Sequence, residues 1–134
     1  MSEANIVLVK RFLQTEDLTR FLSFLEPSAE VDVSALKRPY AGIYRGHEQI
    51  TTLFHEMNDP WREVQYETSE PLARDDYVVV DLTRTTKSLA GIAVQAKVTV
   101  DVTARLGMII RAKVFPSRAD ALLARGWAAE AASS

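Results

Sequence analysis

The sequence contains no cysteine among its 134 residues. Disulfide bonds, thiol nucleophiles and cysteine-ligated metals are therefore excluded. Histidine is almost as scarce, since His47 and His55 are the only two, and their separation along the chain is not that of a metal-binding pair. We therefore expect neither a metal site nor a cofactor.

Clustered positive charge and long apolar runs are also missing. The 16 basic residues are scattered and are outnumbered by 18 acidic ones, whereas nucleic-acid binding needs a concentrated basic surface. No apolar run is long enough to span a bilayer, and the first residues do not form a signal peptide. We expect a cytoplasmic protein that binds neither nucleic acid nor membranes.

The overall composition is typical of a soluble globular protein. Hydrophobic residues make up 47% of the chain and charged residues 25%, and a chain of this length can bury a substantial core. No repeat, low-complexity block or linker divides the sequence. We expect one domain over residues 1–134, with residues 128–134 forming a flexible tail.

Apolar residues recur every three or four positions in three segments, which predicts three amphipathic helices. The first extends from about Glu3 to Gln14. The second begins after an N-cap at Thr15 and ends at Pro27, and the third stops before Pro60. The apolar stripes consist of Ile6, Val9 and Leu13, then Leu18, Phe21, Leu22 and Leu25, and finally Ile50, Leu53, Phe54 and Met57.

A period of two predicts strands elsewhere. In the last three strands the apolar residues take the even numbers, and a register that keeps them together pairs Asp81 with Lys97. A three-residue loop around Leu106 then pairs Asp101 with Arg111. The predicted strands are Val31 to Ala35, Trp61 to Ser69, Tyr77 to Lys87, Ile92 to Ala104 and Met108 to Phe115.

A short helix capped by Ser117 and closed by Gly126 ends the chain. The order of elements predicts an α+β fold, in which N-terminal helices cover one face of the sheet. The other face carries the polar residues of the last three strands. Solvent could simply wet this polar face, but paired charges and threonines also suit a dimer interface.

Two segments resemble the SnoaL-like branch of the nuclear transport factor 2-like (NTF2-like) superfamily. They are the loop Tyr-Ala-Gly-Ile-Tyr-Arg-Gly-His-Glu-Gln-Ile from Tyr40 to Ile50 and the closing segment from Ile110 to Trp127. With the order of elements, the resemblance covers roughly Val7 to Trp127. It implies a curved antiparallel or mixed sheet wrapped on the N-terminal helices as a cone, a deep apolar pocket and a homodimer through the sheet face.

Isomerase-type members of this superfamily use an aspartate near the end of the first strand as a base. The matching position falls near Lys37, which is not acidic, so Asp32 is the nearest carboxylate. His55 is a natural base near neutral pH, and Arg84 interrupts the apolar face and could bind a carboxylate. The alternatives are a solvated aspartate, a surface histidine and an arginine that reaches water. The catalytic candidates are Asp32, Tyr40, His55 and Arg84.

The expected pocket supplies a second set of candidates, for ligand binding. Aromatic residues would frame its mouth, and valines would keep its sheet side dry. The resemblance therefore favours binding of a small hydrophobic molecule, with cofactor-free isomerase, cyclase or hydrolase chemistry left open. The alternative is a non-catalytic dimeric binding or assembly module whose pocket is filled by its own side chains. The ligand-binding candidates are Tyr40, Tyr44, His47, Phe54, Trp61, Val98 and Val100.

Overall fold

The computed structural model describes residues 2–36 and 41–127. The predicted tail, residues 128–134, and the candidate Tyr40 lie outside these ranges. No helix in the described ranges is long and apolar enough to cross a membrane. In chain order the elements are α1 (Ser2–Gln14), α2 (Leu18–Ser23), β1 (Leu25–Asp32), β2 (Ile43–Arg45), α3 (Gly46–Asn58), β3 (Glu63–Thr68), β4 (Leu72–Arg74), β5 (Tyr77–Lys87), β6 (Ala93–Arg105), β7 (Met108–Phe115) and α4 (Arg118–Arg125).

The seven strands form one mixed sheet in the order β2-β1-β7-β6-β5-β3, with β4 also paired to β5. β1 and β7 run parallel, so that Val31 lies beside Ala112. The other described pairs are antiparallel. The structure confirms the predicted α+β fold with a mixed sheet, N-terminal helices and a short C-terminal helix.

The alternation of β5, β6 and β7 was predicted correctly, but the register was wrong by two residues. Even-numbered residues do pair with one another, as in Val80 with Val100. However, Asp81 lies opposite Thr99 rather than Lys97. Asp101 likewise lies opposite Lys113 rather than Arg111.

The connections explain this error. β5 and β6 are joined by the five residues from Ser88 to Ile92, a longer loop than expected. β6 and β7 are joined by a two-residue turn, Leu106 and Gly107, with φ of 52° and 76°. These paired positive φ values belong to the turn type that follows the twist of a hairpin. A bulge then leaves Ile110 unpaired, which shifts all later pairs along β7.

The prediction for the first strand was wrong at both ends. β1 begins at Leu25, which is buried in the core instead of ending the second helix. Pro27 lies where the pairing with β7 is interrupted, which is where a strand tolerates proline. Asp17, not Thr15, is the N-cap of α2, and its carboxylate accepts from the Arg20 amide at 3.3 Å.

The sheet carries a hydrophobic core on each face. The larger core packs α1, α2 and α3 against the even-numbered residues of β5 and β6. On the opposite face, α4 covers a smaller cluster around Val79 and Phe115. Ser117 and Gly126 delimit α4 as predicted, with φ of 85° at Gly126. Because α4 contacts this face, Thr99, Asp101 and Thr103 are buried, so part of the predicted polar surface is not free.

Candidate functional site

An apolar cavity lies between the helices and the even-numbered face of the sheet, with a volume of about 100 Å³. Its position follows from the sequence pattern, because the helical stripes and the even strand residues converge on it. The sheet side is formed by Val31, Leu82, Val100, Ala112 and Val114, and the helix side by Phe12, Phe21, Leu53, Phe54 and Met57.

Three aromatic rings close the helix side of the cavity. Phe12 of α1 stacks on Phe21 of α2, with ring centroids 4.6 Å apart. Phe21 also lies 5.0 Å from the ring of Phe54 in α3. Such ring contacts contribute beyond simple burial, so α1, α2 and α3 are held together directly over the cavity.

Asn58 and Tyr66 form the polar end of the cavity, and Thr15 is the remaining polar residue of its lining. The Tyr66 hydroxyl donates to Asn58 Oδ1 at 2.8 Å, and Asn58 Nδ2 donates to the Phe54 carbonyl at 2.7 Å. Burial raises the pKa of Tyr66, and the neighbouring Arg84 offsets this only in part. Tyr66 is therefore a neutral phenol at physiological pH, and none of the described residues lining the cavity carries a carboxylate or an imidazole.

Arg84 joins the sheet to the end of α3. It lies beside Tyr66 on the even-numbered face and donates through Nη2 to the Met57 carbonyl in the last turn of α3. A cation there is also favoured by the helix dipole. The Arg84 guanidinium lies 6.0 Å from the Trp61 ring centroid, and the Arg84 Nε and Trp61 Nε1 atoms are buried without a described hydrogen-bond partner. Arg84 is not among the residues that line the cavity.

Asp32 lies on the opposite face of the sheet from the cavity, because its neighbours Val31 and Val33 point into the cavity. Its carboxylate accepts from the Ser34 amide at 2.9 Å and the Ser34 hydroxyl at 2.6 Å. Burial acts to raise the pKa of Asp32, but the bonds from Ser34 and the nearby cations Lys113 and Arg111 outweigh it. The pKa therefore lies below its ordinary value, and Asp32 is ionised at neutral pH.

The two histidines lie outside the cavity lining. His47 Nε2 is 3.0 Å from the Leu25 carbonyl, which can only accept, so this nitrogen carries a proton. The contact holds the start of α3 against the start of β1. His55 is exposed, with Nδ1 3.0 Å from Asp59 Oδ2.

Some of the remaining ligand-binding candidates line the cavity and others do not. Phe54 and Val100 line the cavity, whereas Trp61 lines an open recess of about 360 Å³ that shares Asn58 with it. Tyr44 and Val98 are half-buried against the core but do not line the cavity. In the described part of the chain, no group of three or more possible metal ligands is found.

Sequence reasoning missed Tyr66 and Asn58. Tyr66 belongs to the predicted strand from Trp61 to Ser69, and the pairing with β5 puts it on the same side as Val64 and Thr68. The two elements are consecutive in the chain, but the alternation of β3 does not indicate that the end of α3 lies against that side, because this depends on the path of the four residues that join them. Phe12 and Phe21 were assigned to helices, but their stacking over a cavity has no local signal.

This architecture is the NTF2-like fold. An NTF2-like protein of unknown function from Burkholderia pseudomallei superimposes with a TM-score of 0.73 at 17% identity, covering 92% of this chain and 97% of that one. TerC, crystallised with polyporic acid, has a TM-score of 0.72 at 21% identity, with 87% and 94% covered. A proposed SnoaL-like polyketide cyclase from Jannaschia has a TM-score of 0.71 at 16% identity, with 95% and 92% covered. No protein-family model and no curated protein matches the sequence.

Proposed function

We propose that this chain is a SnoaL-like protein that binds a small apolar molecule in the cavity between its helices and its sheet. The observation that carries the proposal is the cavity itself, about 100 Å³ in volume and lined almost throughout by aliphatic and aromatic side chains. A dry cavity of somewhat larger size, engineered in another protein, accepts benzene. The ligand is therefore no larger than a single ring unless the helices move.

The similar structures support this proposal at the level of fold. TerC was crystallised with polyporic acid. The Jannaschia protein carries the proposed SnoaL-like cyclase assignment. At such low sequence identity the fold is shared but the ligand is not transferred.

Binding without acid–base catalysis agrees best with the site. A general base must lie within hydrogen-bonding reach of its substrate, and the described cavity lining contains no carboxylate or histidine. Asp32 faces away, His55 is exposed and Arg84 is bonded to α3. Catalytic roles for Asp32, Tyr40, His55 and Arg84 stay predictions, and those of Asp32, His55 and Arg84 require a substrate bound outside this cavity.

The small volume favours a second candidate, a binding or assembly module whose pocket is filled by its own side chains. Sites for drug-sized ligands are typically about 300–1,000 Å³, several times larger than this cavity. We also propose a homodimer, which both candidates share. α4 covers part of the polar sheet face expected to form it, so this contact would use the part of the sheet that α4 leaves uncovered.

Titration with benzene and toluene, followed by ligand-observed NMR, tests the binding proposal. Ala112 is buried and lines the cavity, so Ala112→Leu places three more carbons in it. We expect the natural chain to bind toluene and Ala112→Leu to lose at least about tenfold in affinity, equivalent to about 1.4 kcal/mol. Ala124→Leu adds the same atoms on the exposed side of α4 and should bind normally.

Absence of binding by the folded natural chain would rule out the ligand-binding proposal and leave the self-filled module. Equal binding by Ala112→Leu and the natural chain would place the ligand elsewhere. A thermal unfolding curve for each variant separates both outcomes from a loss of folding.

A further inference from the structure

Among the residues that the structure describes, part of β6 is an open edge of the sheet. β5 pairs with β6 all the way to Ala93, without interruption. β7 pairs with β6 only from Thr99 onward, because the chain leaves the sheet after Phe115. From Ala93 to Val98, no described strand lies on the second side of β6.

The backbone groups that face this open side can be identified. The Ile92 carbonyl accepts from the Ser88 amide at 3.0 Å, and the Ala104 amide donates to the Asp76 carbonyl at 2.8 Å. Both bonds point toward the β5 side, and both involve even-numbered residues of the β6 segment. Since successive residues of a strand direct their backbone groups to opposite sides, Ala93, Gln95 and Lys97 present theirs to the open edge.

An exposed apolar row accompanies the open edge. Ile92 is 65% exposed and Val94 50% exposed, and they lie on the same face as the exposed Ala96. Leu89, at the tip of the same hairpin, is 84% exposed. Natural proteins protect edge strands with charged side chains, proline or bulges. The segment from Ala93 to Val98 has one such residue, Lys97, on the opposite face and none on its apolar face.

We infer that this edge pairs with the same edge of a second copy of the chain, in an antiparallel arrangement centred on Gln95. In that register Ala93, Gln95 and Lys97 meet Lys97, Gln95 and Ala93 of the second copy, so every outward backbone group gains a partner. Val94 then lies opposite Ala96, at the closer spacing of about 4.5 Å between Cα atoms. The apolar rows of the two copies become continuous.

The register also keeps like charges from meeting directly. Lys97, the charged residue of the segment, lies opposite Ala93 and not opposite its own copy, so like charges do not meet directly. An edge contact of this length covers less than the roughly 1,200 Å² of a standard interface. We therefore expect a weak dimer, present at roughly 100 µM and dissociated at low micromolar concentration.

A single introduced thiol tests the geometry, because the chain has no cysteine of its own. Gln95→Cys places each thiol opposite its copy, within the Cα separation of about 4.4–6.8 Å that a disulfide needs. Thr85 lies beside Gln95 on β5, one strand further from the axis. Thr85→Cys thiols would be roughly 14 Å apart, three strand spacings. We expect Gln95→Cys to crosslink under mild oxidation at 100 µM and Thr85→Cys to crosslink about tenfold less.

The register has its own test. A mixture of Val94→Cys and Ala96→Cys chains should give more mixed disulfide than either chain gives with itself. Equal crosslinking of Gln95→Cys and Thr85→Cys would overturn the edge contact. Preferential self-crosslinking of Val94→Cys would overturn the register centred on Gln95.

Sedimentation velocity from 5 to 500 µM tests the dimer without a thiol. Gln95→Pro removes an outward amide and leaves the bonds to β5 intact, a position where edge strands tolerate proline. Val94→Lys puts a charge into the apolar row and keeps the test valid if the proline variant does not fold. Each should raise the dissociation constant at least about tenfold, whereas Leu123→Lys, which replaces an exposed apolar residue of α4, should not.

A natural chain that remains monomeric at 500 µM would overturn the inference. So would a chain that binds phospholipid vesicles through Val94 without self-association, since this would make the apolar row a lipid contact. Ligand binding in the cavity is measured independently, so failure of either proposal leaves the other standing.

Discussion

Asp32 is the only predicted catalytic carboxylate of this chain, and its contacts in the structure are those of a residue that stabilises the fold. Its side chain accepts two hydrogen bonds from Ser34 and lies 3.7 Å from Arg111 Nη2. These partners favour the ionised form, so the folded-state pKa lies below the ordinary 3.8. The carboxylate therefore stabilises the fold above that value, and this contribution is lost as pH falls through it toward the lower folded-state pKa.

Replacing Asp32 with asparagine should remove this pH dependence. The asparagine side chain is not ionisable, although its carbonyl could still accept from Ser34, so we expect Asp32→Asn to be less stable than the natural chain at pH 6. The difference should shrink as the pH is lowered from 4 to 2. Urea unfolding between pH 2 and 7 measures it, and Asp17→Asn, an exposed helix cap, is the comparison. If the difference in stability between Asp32→Asn and the natural chain is constant over this range, the charge of Asp32 does not contribute to the stability of the fold.

At the scale of elements, α4 is attached to the sheet by a buried ion pair as well as by apolar contact. Arg125 donates to Asp101 Oδ2 through Nη2 at 2.6 Å and Nε at 3.1 Å, and its guanidinium lies 3.9 Å from the Tyr77 ring centroid. Asp101 is buried, and its Oδ1 atom has no described hydrogen-bond partner. Removing Arg125 would leave a buried carboxylate without its partner, which is the costly way to break such a pair.

We expect Arg125→Met to lower the free energy of unfolding by about 3–5 kcal/mol. The double variant Asp101→Asn with Arg125→Met should recover part of this loss, because it also removes the buried charge. Chemical unfolding of the natural chain, both single variants and the double variant forms a complete cycle. If the double variant is no more stable than Arg125→Met alone, the apolar contacts of α4 and not the ion pair hold it in place.

The elements with clear local signals were predicted from the sequence. β5 and β7 have the predicted bounds, and Ser117 and Gly126 delimit α4 as expected. The errors arise where the signal is not local. The bulge at Ile110 and the loop length after Lys87 decide the register, and neither changes the alternation of apolar residues. The parallel pairing of β1 with β7 joins segments that are far apart in the sequence. No short sequence pattern predicts such a pairing.

The candidate site was predicted less well than the fold for a related reason. Phe54 and Val100 were named because each belongs to an apolar pattern that faces the core, and both line the cavity. Tyr66 and Asn58 meet only when the last turn of α3 lies against Tyr66 of β3. A family resemblance supplies the expectation of a pocket, but the residues at its polar end depend on this particular packing.

At the scale of the whole molecule, the helices cover the two faces of the sheet with different firmness. α4 buries Ala121 and Leu122 against its face, whereas α2, above the cavity, is only six residues long and has no buried residue. Short elements with few buried contacts open most readily. We therefore expect the amides of α2 to exchange with solvent faster than those in the centre of β5 and β6.

Because α2 is held by few buried contacts, its displacement is the route by which a ligand larger than one ring could enter the cavity. Phe21 is the side chain that blocks this route. Phe21→Ala removes the ring between Phe12 and Phe54 and should cost about 2–4 kcal/mol, toward the low end because Phe21 is only half-buried. The enlarged cavity should bind naphthalene at least about tenfold more tightly than the natural chain does, a gain of about 1.4 kcal/mol. Thr19→Ala, on the exposed side of α2, should change neither quantity. Calorimetric titration measures the naphthalene affinity of each chain. Equal affinity in the natural chain and Phe21→Ala would mean that the Phe21 ring does not limit the size of the ligand. The ligand would then not lie in the cavity beneath α2.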